Sequence, residues 1–128
     1  MKRIFILAAL LLSSVAQAET WVCSTDGYEK GVKVLSTFTR EGDSFTRSVT
    51  YPATNSFPST TSEPEYGRVI FETESLIVLQ NFILYHLEEP EEVNVSIHLI
   101  HKETNAYIQQ VVSFGVAWTR DEGSCVSI

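Results

Sequence analysis

The sequence predicts an all-β protein, a small antiparallel meander or barrel of about eight strands. Three observations carry that expectation. The chain is rich in Thr, Val, Ile, Phe and Tyr, and these side chains suit a pleated, half-buried surface. Apolar residues recur with a period of two, where a helix would show about 3.6. Turn signals, among them Asp26-Gly27, Glu41-Gly42-Asp43 and Glu103-Thr104-Asn105, punctuate the chain at short intervals.

The elements follow in order. Trp21 to Thr25 reads as a first strand ending at Asp26-Gly27, and Val32 to Arg40 as a second, stopped by Glu41-Gly42-Asp43. Ser44 to Tyr51 alternates, with Phe45, Val49 and Tyr51 on one face and Ser44, Thr46, Ser48 and Thr50 on the other. The short turn between makes a hairpin. Pro52 to Gly67 holds Pro52, Pro58 and Pro64 among Ser, Thr and Asn, and is expected to be the one long loop, because proline cannot donate to a strand ladder. Arg68 to Glu74 resumes the alternation. Ser75 to Leu87 is almost continuously apolar, either a buried helix or two strands meeting near Gln80-Asn81; its β-branched and aromatic content favours strands. Beyond the charged turn Glu88 to Glu92, Val93 to Ile100 and Tyr107 to Phe114 form another pair, joined through Asn105, a residue that tolerates the left-handed conformation. After the Gly115 break, Val116 to Thr119 is expected to continue before Gly123 and Cys125 close the chain.

Residues 1–18 read as an export signal. Lys2 and Arg3 give the basic start, Ile4 to Leu12 the apolar stretch, and Ala16-Gln17-Ala18 the small-x-small cleavage site. The apolar stretch falls well short of the roughly 20 residues a membrane-spanning helix needs. Glu19 would then begin a single mature domain, residues 19–128, bound for the periplasm or the exterior. An oxidising compartment makes two cysteines one disulfide, so Cys23 and Cys125 are expected to bridge the first and last strands. That favours a closed or nearly closed meander over an open sheet. In the chain-entropy model, closing a loop of about 100 residues is worth about 4.7 kcal/mol.

Losing Lys2 and Arg3 with the signal would leave seven basic against sixteen acidic residues, a net charge of −9. Such a chain repels phosphate backbones and anionic lipid surfaces, so neither nucleic acid nor membrane is an expected partner of the mature protein. A basic protein would be steered toward it.

The Trp21-x-Cys23 start, the strand-turn-strand built on His101-Lys102-Glu103-Thr104-Asn105 and the Gly123-x-Cys125 end resemble small exported bacterial β-barrel proteins of uncharacterised function. In size and layout the chain is also similar to the periplasmic inhibitors of C-type lysozyme and to lipocalin-like barrels. The Ser-Gly-Ala-rich blocking loop of those inhibitors has no counterpart here, nor has the Gly-x-Trp start of lipocalins. No functional residue of either family is carried over.

Few constellations suggest chemistry. His98 and His101, three apart on one strand, point to opposite faces, and His86 alone does not complete the three or four ligands a metal needs. No Gly-x-Ser-x-Gly elbow supplies a nucleophile. The carboxylate pairs Glu63 with Glu65 and Glu72 with Glu74 would share strand faces, which an antiparallel sheet commonly presents to water. The Glu88 to Glu92 run reads as a solvated hairpin tip. No catalytic residue, cofactor or metal site is therefore expected. The excess of aromatics, including Phe45, Tyr51, Phe71, Phe82, Tyr85, Tyr107, Phe114 and Trp118, serves first as core bulk. Leu76 to Leu87 carries apolar residues on both faces, so one of them must meet a second layer, a subunit or an apolar molecule. The expected function is non-catalytic binding as a monomer or weak dimer. The leading form is inhibition of a basic exported protein, with Pro52 to Gly67 as the contact loop; the alternative is carriage of an apolar ligand in a barrel cavity.

Overall fold

The computed structural model describes residues 19–27, 30–84, 93–113 and 116–128. The expected signal and its cleavage site, His86, Tyr85, the Glu88 to Glu92 turn, Phe114 and the Gly115 break lie outside the described residues, as does the side chain of Trp118. The described residues form nine strands: β1 Glu19–Asp26, β2 Lys33–Glu41, β3 Ser44–Tyr51, β4 Thr60–Thr61, β5 Glu65–Glu72, β6 Leu76–Leu84, β7 Val93–His101, β8 Ala106–Ser113 and β9 Val116–Ser127. All pairings are antiparallel. Eight strands follow one another around a ring, and the pairing of β9 with β1 completes it. The two-residue β4 lies outside this ring against the end of β3. The protein is thus a closed eight-stranded meander barrel, in which closure removes the unpaired edges of an open sheet.

Closure depends on the two cysteines standing level. Cys23 on β1 faces Cys125 on β9, and they form a disulfide spanning 102 positions. The Cys125 amide points away from β1 and donates to the Asn105 carbonyl, leaving the two side chains directly opposed across β1 and β9. Such a bridge belongs to a protein outside the reducing cytoplasm. Asn105 adopts a φ of 59° in the β7–β8 turn, as its residue type suggested. Gly67 and Gly123 mark two close approaches. A Cβ on Gly67 would overlap the Gln80 carbonyl and the Phe45 ring, and one on Gly123 would overlap the Ser24 carbonyl.

Two expectations need correction. Leu76–Leu84 is one continuous strand rather than two meeting at Gln80-Asn81. Gln80 takes its place in the outward row while Asn81 is wholly buried, and its amide is satisfied inside the barrel, so neither residue interrupts the ladder. The long loop is also shorter than expected, because β4 occupies Thr60–Thr61 and β5 starts at Glu65. Ser62 ties the loop to β3, exchanging backbone and hydroxyl bonds with Val49.

The barrel interior has two levels. Trp21, Cys23, Phe38, Phe45, Ile77, Leu79, Ile100, Tyr107 and Cys125 form one apolar cluster, with Val69 packed against it. Beyond that cluster the inward positions turn polar: Ser36, Arg47, Asn81, Ser96 and His98 are all buried. On β7 it is therefore the Ser96, His98, Ile100 face that points inward, while Val95, Ile97 and Leu99 lie on the outer side. Register aligns Leu99 with Val78 and Ile108, and Val95 with Phe82 and Val112. The outer wall of β6 to β8 is consequently an uncharged, largely apolar surface.

Candidate functional site

The polar level is built around Arg47, which β3 turns inward between Phe45 and Val49. Its guanidinium donates from Nη1 to Glu65 Oε2 at 3.1 Å, from Nη2 to Ser36 Oγ at 3.0 Å and Gln109 Oε1 at 3.3 Å, and from Nε to Ser36 Oγ at 3.3 Å. The Phe38 ring lies 5.9 Å beneath it. Glu65 Oε2 also accepts from Asn81 Nδ2 at 2.9 Å. Because a carboxylate only accepts, that bond fixes the orientation of the Asn81 amide and leaves Oδ1 to receive a proton. His98 Nε2, 2.6 Å away, must supply it. Its Nδ1 is then the acceptor, taking the Tyr107 hydroxyl at 2.8 Å. One carboxylate on β5 thus sets a histidine tautomer two strands away.

The electrostatics agree with this assignment. Burial, together with the nearby Arg47 charge, holds the His98 imidazole well below its usual range, so it is neutral. Burial likewise pushes the Tyr107 phenol well above its usual range and keeps its proton on. Ser96 Oγ is buried without a hydrogen-bond partner among the described residues, in the row between Asn81 and Val111.

This polar layer is the floor of an open cavity of about 560 Å³, lined by Arg47, Ser36, Glu65 and Gln109 below and by Thr25, Asp26, Val49, Ser62, Val111 and Asp121 toward the mouth. Gly27, Val34 and Tyr51 line it too, and they are shared with a second, apolar cavity of about 380 Å³. Pro52, Thr54, Phe57 and Pro58 wall this second space. The Thr54 side chain holds that segment in a tight turn by accepting from the amides of Ser56 and Phe57. The proline-rich stretch therefore forms a side wall of the barrel mouth.

The residues singled out in the sequence fall differently. His98 and His101 are on opposite faces, as their spacing required; His98 is in the interior, tied to Asn81 and Tyr107. No group of three metal-binding side chains occurs among the described residues. The carboxylate pairs do not share strand faces: Glu63 precedes β5, and Glu74 follows it. Glu65 belongs to the cavity floor, while Glu72 is bound by Arg40 and Lys102 on the outside. Arg47, Asn81, Ser36 and Gln109 were not singled out, although the arginine interrupting the Phe45, Val49, Tyr51 row was visible. Neither a protein-family model nor a curated protein nor a solved structure matches this chain.

Proposed function

We infer that this is a non-catalytic exported protein, periplasmic or secreted, that carries a small amphipathic molecule in the open end of its barrel. The observation behind this reading is the junction of the two cavities at Gly27, Val34 and Tyr51. A hydrogen-bonding floor there continues into an apolar side wall. Ligand sites typically combine an apolar lining with a few converging polar groups, in clefts of about 300–1,000 Å³. Hydrocarbon against Val34, Tyr51 and Phe57 leaves water, at about 25 cal/mol per Å² of area removed, while the Ser36, Ser62 and Gln109 side chains orient the polar end. Among the described residues, the Trp21 to Cys125 cluster packs the apolar level of the barrel, and the open cavity lies at the polar end. The reading is non-catalytic because His98 has both ring nitrogens engaged and does not line the cavity.

The test is an amide-resolved NMR titration with short-chain amphiphiles. Shifts concentrated at Thr25, Ser36, Ser62 and Gln109 are expected. Saturable binding with shifts confined to the outer wall of β6 to β8 would refute it.

A second reading, inhibition of a basic exported protein, is favoured by Phe57, which stands 70% exposed on the turn beyond β3. Exposed aromatics on rigid turns are typical binding anchors. Capture of a basic enzyme that weakens with added salt and is lost in Phe57→Ser would support it.

A further inference from the structure

Resting on the cavity reading above, we propose that the guest is an organic cation. Its ammonium sits beside Asp121 at the junction of the two cavities, and its apolar part lies against Tyr51, Phe57 and Pro58. The charges in the lining favour a cation. Among the described residues, one cation, Arg47, and three carboxylates, Asp26, Glu65 and Asp121, face the polar cavity. Arg47 is already committed to Glu65, Ser36 and Gln109, and its side chain is only 6% exposed. An anionic guest that displaced Glu65 from Arg47 would leave that carboxylate in the cavity wall with only the Asn81 amide. Removing one partner from a pair so enclosed is strongly unfavourable. Asp26 is held by Lys33. Asp121 has neither an ion pair nor a side-chain hydrogen bond among the described residues. It is the unspent charge of the site.

Position supports the same conclusion. Asp121 lies two residues before Gly123, the partner of Thr25, and lines the polar cavity together with Thr25 and Gly27, the last a residue common to both cavities. An ammonium there is next to the carboxylate at the moment its hydrocarbon enters the apolar side. Tyr51 also lines both spaces and adds an aromatic ring, whose face attracts cations. A carboxylate guest in the same pose would meet Asp121 and Glu65 with no uncommitted cation among the described lining residues.

The experiment is calorimetric titration of the disulfide-bonded protein with octylamine, octanoate and octanol at pH 7, three probes sharing one hydrocarbon chain. Octylamine is expected to bind at one site, at least tenfold more tightly than octanol, with octanoate weaker than both. Asp121→Asn should bring octylamine down to the level of octanol and leave octanol unchanged. Glu103→Gln, in the distant β7–β8 turn, should leave all three unchanged. Octanol or octanoate binding as tightly as octylamine would overturn the cation assignment while the cavity reading stands. Equal losses in Asp121→Asn and Glu103→Gln would also overturn it, as general attraction to an acidic surface. Binding of none of the three probes would remove the cavity reading itself.

Discussion

His98 makes the fold sensitive to mild acid, and the size of the effect follows from its surroundings. The ring is fully buried, with its edge toward Phe38 at a centroid distance of 4.9 Å, and the Arg47 charge close by. Its folded-state pKa is well below the ordinary imidazole value of about 6.5. In the unfolded chain the imidazole binds a proton as pH falls through about 6.5, whereas in the folded chain it does not. The unfolded state then holds more protons, so stability is intact above that pH and declines below it. The slope approaches about 1.4 kcal/mol per pH unit, and between pH 7.5 and 5.5 the loss from this one group is about 1.4 kcal/mol. It continues until the folded-state value is reached. Urea unfolding at half-unit steps from pH 7.5 to 5.5 measures this directly. His98→Gln, which does not titrate and retains the other histidines, should be less stable by about 2–4 kcal/mol at pH 7.5. Its stability should change with pH by one proton less than that of the parent. Equal slopes in the two proteins would refute the claim that His98 is held neutral by its site.

The remaining predictions concern the charges and the close approaches. Arg47→Met should cost about 3–5 kcal/mol in urea unfolding, because it strands Glu65, and adding Glu65→Gln should recover part of that loss. Bonds from Arg40 and then Lys102 hold the Glu72 carboxyl at about 2, so its contribution is present above about 4.5 and is lost as pH falls toward 2; NMR titration should find it moved back up in Arg40→Ala. Gly123→Ala should destabilise by several kcal/mol, since its Cβ meets the Ser24 backbone. Gly67→Ala should be destabilised to a comparable degree, because its Cβ meets the Gln80 backbone carbonyl as well as the buried Phe45 ring, and thermal melts of the two variants compare them.

How much of this was legible depended on whether the signal was local. The Phe45 and Val49 alternation, the Glu41-Gly42-Asp43 turn and the left-handed Asn105 are each written within a few residues, and each appears as read. The disulfide was legible because compartment and cysteine count leave one pairing. The buried polar network was not, because Arg47, Glu65, Asn81, His98 and Gln109 come from five different strands. Their burial is acceptable only once they satisfy one another. On β7, alternation gave two candidate faces, Val95 with Ile97 and Leu99 or Ser96 with His98. Hydrophobicity alone would turn the valine face inward, and only the partners on β6 and β8 reverse that choice. The single strand across Gln80-Asn81 was hidden for the same reason, since Asn81 is at home in the interior only beside Glu65 and His98.

The central claim is that the open end of the barrel carries a small guest. Native mass spectrometry of protein recovered from its own compartment tests this most directly, compared with the same sample denatured without reduction. The account predicts a native mass exceeding the disulfide-bonded chain by that of one small amphipathic molecule, with the excess gone on denaturation and reduced in Tyr51→Ala. A bare chain mass in both states, from material never exposed to detergent or extensive dialysis, would contradict it.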